Sequence, residues 1–133
     1  MTDSQFLAAL EGCTLPGTEF RHAAHVRAAY LYLREGSFAD AIARMSATLR
    51  RYAGAHDKPG LYHETITVAF LSLINERLQR DGDGGGWPGF AAAHRDLLDG
   101  RILARYYRPE TLKSQIAREV FVLEARVSQG DAA

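Results

Sequence analysis

Apolar residues recur at helical spacing along most of this chain, and this periodicity constrains its fold more than any other feature. In the segment that follows Ser37, the residues Ala41, Met45, Leu49 and Tyr52 repeat on one face of a helix. No run of β-branched residues alternating with polar ones predicts a strand. We therefore expect an all-α protein, a single compact bundle of about five to seven helices.

The length and composition favour one domain. The chain has 133 residues, of which 47% are apolar, enough to form a single hydrophobic core without disulfides or a structural metal. We expect one domain over residues 1–133, with an ordered core from about residue 4 to 125 and a disordered tail from Ser128 to Ala133. The single cysteine, Cys13, excludes an intrachain disulfide and a cysteine-based metal site.

The balance of charges argues against nucleic acid and anionic membranes as partners. Sixteen basic residues face sixteen acidic ones, so no net field attracts nucleic acid or an anionic membrane. The sequence after Met1 lacks a secretory signal, and no apolar run reaches the length of about 18 residues that a membrane helix needs. We expect a cytoplasmic protein with no nucleic-acid or membrane partner, and its apolar helix faces are compatible with a homodimer.

Two predicted helices are apolar on most sides and are expected to be central. The first covers about Arg21 to Arg34, and the second, about Leu61 to Arg80, includes a long apolar run. Between them, Ser37 is a natural N-cap, and Asp40 completes a weaker form of the capping box for a helix that ends near Ala55.

Three of the five histidines lie at the starts of these central helices. His22 and His25 are three residues apart, so both rings fall on the same side of a helix. His63 from the second helix completes a three-histidine set with an open coordination position. This pattern predicts a divalent metal such as zinc or iron, bound in a small enzyme that acts on a polar small molecule.

Further polar groups surround these histidines in the sequence. Because Glu64 directly follows His63, the two side chains point about 100° apart on a helix and are not expected to bind one ion together. Glu64 is instead predicted to orient an imidazole ring as a hydrogen-bond acceptor or to act as a general base. His63 and Glu64 are therefore the predicted catalytic pair. The residues predicted to bind substrate or ligand are Tyr30, His56, Tyr62, Thr67, Arg105 and Tyr106.

Other hypotheses use the same residues. Without a metal, His63 acts as a proton carrier tuned by Glu64, while His22 or His25 holds the substrate. A non-catalytic module that binds or senses a small molecule or a metal is the main alternative to an enzyme. In a purely structural or partner-binding domain, the histidines are hydrogen-bonded core residues.

The chain resembles an uncharacterised family of small bacterial all-helical proteins. The resemblance rests on Phe20-x-His22-x-x-His25-x-x-x-Ala29 and on Tyr62-His63-Glu64-Thr65-x-Thr67, and it extends over about residues 5 to 122. It implies a helical fold and marks these positions, but it implies no substrate, reaction or cofactor. The family pattern F-V-x-P-D is replaced here by Phe121-Val122-Leu123-Glu124-Ala125.

Overall fold

Seven α-helices and four 3-10 turns make up most of residues 1–125, the part of the chain that the computed structural model describes. The helices are α1 (Asp3–Glu11), α2 (His22–Glu35), α3 (Phe38–Ala55), α4 (Glu64–Asp81), α5 (Trp87–Ala93), α6 (Pro109–Lys113) and α7 (Gln115–Glu119). The 3-10 turns cover Gly17–Glu19, Pro59–Leu61, Arg95–Leu98 and Gly100–Arg105. Since residues 1–125 contain no strand, the predicted all-α class is confirmed. The predicted disorder of Ser128 to Ala133 concerns residues outside this range.

Capping residues determine where two of the helices begin. The Ser37 hydroxyl accepts from the Asp40 amide, and the Asp40 carboxylate accepts from the Ser37 amide, as the sequence predicted. An equivalent capping box, formed by Thr2 and Gln5, starts α1. The start of α4 differs from the prediction, because the 3-10 turn Pro59–Leu61 delays the helix until Glu64.

Helix α2 is central, as its composition predicted. It packs against α3 and α4, which also pack against each other. The side chains of Tyr30 and Tyr32 are fully buried, and the small residues Ala28 and Ala29 are buried beside them. Residues from the starts of α2 and α4 and from the end of α3 lie together at one end of this three-helix core.

An extended segment after α7 lies along α4. The Thr65 hydroxyl donates to the Val120 carbonyl at 2.9 Å and accepts from the Val122 amide at 3.1 Å. The Tyr107 hydroxyl donates to the Val122 carbonyl at 2.7 Å. These bonds attach the segment to the core, since Thr65 and Tyr107 are both buried. Within residues 1–125, no helix combines the length and apolar character needed to cross a membrane.

A buried polar group connects α1, α2 and α3 through the Tyr32 hydroxyl. It donates to a Glu11 carboxylate oxygen at 2.6 Å, so its 2.8 Å contact with the Thr48 hydroxyl has Thr48 as the donor. Burial, together with the hydrogen bond to Glu11, raises the pKa of Tyr32 to about 12. Tyr32 is therefore a neutral donor in the folded protein at neutral pH.

Replacing Tyr32 with phenylalanine should lower the free energy of unfolding by about 1–2 kcal/mol, because the Thr48 hydroxyl would lose its buried acceptor. Urea denaturation measures this change. The control is Tyr106→Phe, since Tyr106 is exposed and should change stability by less than about 0.5 kcal/mol. Equal effects of the two variants would contradict a structural role for the Tyr32 hydroxyl.

Candidate functional site

A cavity of about 360 Å³ opens at the end of the three-helix core where α2 and α4 begin and α3 ends. It is half enclosed, and the residues around it come from all three helices and from the connections before α2 and between α3 and α4. The lining residues are Gly17, Phe20, His25, Leu49, Tyr52, Ala53, His56, Lys58, Leu61, Tyr62, His63, Ile66 and Thr67. Three of the five histidines of the chain therefore contribute to one cavity.

One wall of the cavity is a continuous row of aromatic rings. The His25 ring stacks on Phe20 with centroids 3.9 Å apart, and Phe20 meets Tyr52 edge-on at 4.8 Å. Tyr52 in turn stacks on His56 at 4.1 Å. The Tyr52 hydroxyl donates to the Leu15 carbonyl at 2.6 Å, which fixes the middle of the row. Because each ring is held by its neighbours, this wall is preformed.

The His25 imidazole is neutral at neutral pH. Burial is the main cause that lowers its pKa to about 4, and the nearby His22 lowers it further. A hydrogen bond with the Phe20 backbone raises the pKa but does not offset the other two causes. His25 is therefore an uncharged hydrogen-bonding group on the cavity wall.

His63 is the N-cap of α4, and both of its ring nitrogens are used. Nδ1 accepts from the Ile66 amide at 3.1 Å, so the ring proton must be on Nε2, which donates to the Leu112 carbonyl at 2.7 Å. Histidine replaces the usual Ser, Thr, Asp or Asn at this position. The geometry leaves neither nitrogen for a metal or a substrate, although the ring still lines the cavity.

Glu64 does not line the cavity. One of its carboxylate oxygens accepts from the Tyr62 hydroxyl at 2.7 Å and lies 3.9 Å from the Arg50 guanidinium, which covers the Tyr62 ring at 4.2 Å. Burial raises the pKa of Tyr62, and the bond to Glu64 adds to the rise. The Thr67 hydroxyl donates to the His63 carbonyl at 2.8 Å. The hydrogen bonds of Glu64, Thr67 and the Nδ1 atom of His63 are therefore made within the first turn of α4 and to Tyr62, and His63 and Glu64 do not bond to each other as an acid–base pair.

His22 and His25 diverge although they are three residues apart. The His22 Nε2 donates to the Leu97 carbonyl at 3.0 Å, and its ring meets Phe70 edge-on at 4.7 Å, so His22 packs α2 against other parts of the core. Among residues 1–125, no group of three or more His, Cys, Asp or Glu side chains is placed to hold a metal ion. The three-histidine metal site predicted from the sequence is not formed in this arrangement.

Three predicted ligand-binding residues lie outside the cavity. The hydroxyl of the buried Tyr30 donates to the Asp83 carbonyl at 2.8 Å, which anchors the glycine-rich connection before α5. Arg105 and Tyr106 are exposed at the end of a 3-10 turn. Tyr62, Thr67 and His56 do line the cavity, and their role in ligand binding stays a prediction.

The sequence did not single out Lys58, Phe20 or Tyr52 as site residues. Lys58 lies in the turn that joins α3 to α4, two residues after the predicted site residue His56. This position in the sequence could have indicated that Lys58 belongs to the site. Phe20 belongs to the first histidine motif, while Tyr52 read as an ordinary core residue of α3. Their convergence depends on how the three helices pack, which periodicity alone does not specify.

A second depression, of about 400 Å³, lies where α1 and the start of α2 meet the Trp87 side chain. It is more open to solvent than the cavity, and its Arg27 side chain is already paired with Asp3 at 2.7 Å and stacked over the Phe6 ring. None of the predicted site residues lines it. The cavity between α2, α3 and α4 is therefore the stronger candidate.

Fold and site together define an all-helical protein with a half-enclosed cavity at one end of a three-helix core. No protein-family model, curated protein or solved structure matches the chain. The resemblance to small bacterial helical proteins stays a prediction.

Proposed function

We propose that this protein binds a small organic molecule with a largely apolar body in the cavity between α2, α3 and α4. The cavity carries this proposal, because its volume of about 360 Å³ falls in the usual range for small-molecule sites. Apolar and aromatic side chains form most of its lining, with a few polar groups between them. This combination is typical of sites in which an apolar body supplies affinity and polar groups fix orientation.

The polar groups of the lining suit recognition of a ligand. The neutral His25 ring offers hydrogen bonds without the cost of burying a charge. His56, stacked on Tyr52, lies along the same aromatic wall. Because the wall consists of aromatic rings, a planar ligand body could pack on it by stacking or edge-on contacts.

Binding is better supported than catalysis. A pKa of about 4 makes His25 a weak base at neutral pH, where an efficient general base has a pKa closer to 7. The predicted pair His63 and Glu64 is engaged in capping α4 and in bonding to Tyr62. The cavity therefore has a preformed wall for a ligand but no assembled acid–base pair.

Filling the cavity should abolish binding. In Ala53→Leu, the larger side chain at a lining position should weaken binding of indole or 2-naphthol roughly tenfold or more, because it occupies the space of the ligand. Titrations followed by amide chemical shifts in NMR give both the affinity and the location. Ala47→Leu is the matched control, since Ala47 is an exposed residue on the same helix outside the cavity.

With the wild type, the largest shifts are expected at the starts of α2 and α4 and around Lys58. The proposal fails if neither compound shifts these amides at millimolar concentration, or if Ala53→Leu and Ala47→Leu bind equally well.

A further inference from the structure

We infer that the ligand of this cavity is a planar organic monocarboxylate whose charge is bound by Lys58. This inference rests on the proposed function and adds the class of ligand. Lys58 is the lysine among the lining residues, and no Arg, Asp or Glu of the described residues lines the cavity. An apolar cavity with one cation and no anion selects a ligand with one negative charge and an apolar body.

The Lys58 ammonium is available for such a ligand. Within residues 1–125, it has no ion pair or side-chain hydrogen bond, and its backbone is fixed because its amide donates to the Ala53 carbonyl at 2.7 Å. The preceding Asp57 is exposed and does not line the cavity. Lys58 itself is an exposed lining residue, so a carboxylate bound to it can stay partly hydrated while the ligand body is buried.

The start of α2 also borders the cavity, and it favours negative charge there. Arg21 gives α2 no side-chain cap, and the first turn contains no acidic residue, so nothing from the helix itself neutralises the positive end of its dipole. His25 in this first turn lines the cavity. At the start of α4, the Glu64 carboxylate offsets the dipole, so α2 makes the larger contribution.

The same charges argue against a phosphate. Phosphate sites usually combine arginine forks or several backbone amides with lysine, and no arginine lines this cavity. A second negative charge in a largely apolar cavity would stay uncompensated, at a cost in desolvation. One lysine balances one carboxylate.

The experiment compares two probes of the same shape, 2-naphthoate and the uncharged 2-naphthamide. The wild type at neutral pH should bind the acid roughly 1.5-fold to fivefold more tightly than the amide, the range expected for a partly exposed charge pair. Lys58→Met should remove this preference by weakening the binding of the acid. Lys58→Arg should preserve the preference, because the charge is retained.

Lys113→Met is the matched control, since Lys113 is the other lysine of the chain, is exposed in α6 and does not line the cavity. It should keep the wild-type preference. If the amide binds the cavity as tightly as the acid, or if Lys58→Met keeps the preference, the carboxylate inference is overturned while the proposed function stands. If neither probe binds in the cavity, the proposed function fails and the inference fails with it.

Discussion

Replacing His63 with alanine should lower the free energy of unfolding by about 2–4 kcal/mol. The variant loses the N-cap of α4, worth about 1 kcal/mol, and leaves the partly buried Leu112 carbonyl without its donor. The buried ring itself is also lost from the junction of α4 with the C-terminal helices. Urea denaturation of the wild type and the variant measures the difference.

The control variant His63→Asn separates these contributions. Asparagine is a good N-cap, so it should bond to the Ile66 amide and recover about 1 kcal/mol, but it is too short to reach Leu112. A cost below about 1 kcal/mol for His63→Ala would contradict the structural role. It would return His63 to the candidates for metal binding or proton transfer.

Acidification should destabilise the protein through His25. Its pKa is about 4 in the folded state and about 6.5 when the chain is unfolded, so the folded state favours the neutral ring. Between these two values the unfolded chain binds a proton that the folded protein does not, and stability falls as the pH falls. The contribution is fully present above pH 6.5, and about 3 kcal/mol of it is lost between pH 7 and pH 4.

The variant His25→Phe isolates this contribution. Its ring can still stack on Phe20, but it does not titrate, so its stability should fall less than that of the wild type between pH 7 and pH 4. The expected difference between the two losses is about 3 kcal/mol, measured by urea denaturation at each pH. Ala47→Leu retains His25 and should show the wild-type loss. Equal losses in His25→Phe and the wild type would show that the His25 ring is not shielded from water.

The fold was largely predictable because its signals are local. The periodicity of α3 and the capping box of Ser37 and Asp40 act within a few residues, and the structure shows both. The central position of α2 followed from its apolar composition on most sides. Each of these features could be read without knowing what the helix packs against.

The histidine site was only partly predictable, for two physical reasons. Because histidine is an unusual N-cap, the helix was expected to begin at Leu61, and His63 was placed on it with a free ring. In addition, residues three apart on a helix differ by about 60° around its axis, which is enough for His22 to reach Leu97 while His25 stacks on Phe20. The N-cap bond of His63 is local but unusual, whereas the contacts of His63 with Leu112 and of His22 with Leu97 are tertiary, and the spacing of residues does not reveal them.

The measurement that tests the central claim most directly is a crystal structure of the protein with 2-naphthoate at a concentration near its dissociation constant. The account predicts the naphthalene ring against the wall of Phe20 and Tyr52, between α2, α3 and α4, with its carboxylate toward Lys58. An empty cavity in a protein that binds 2-naphthoate elsewhere would contradict the account.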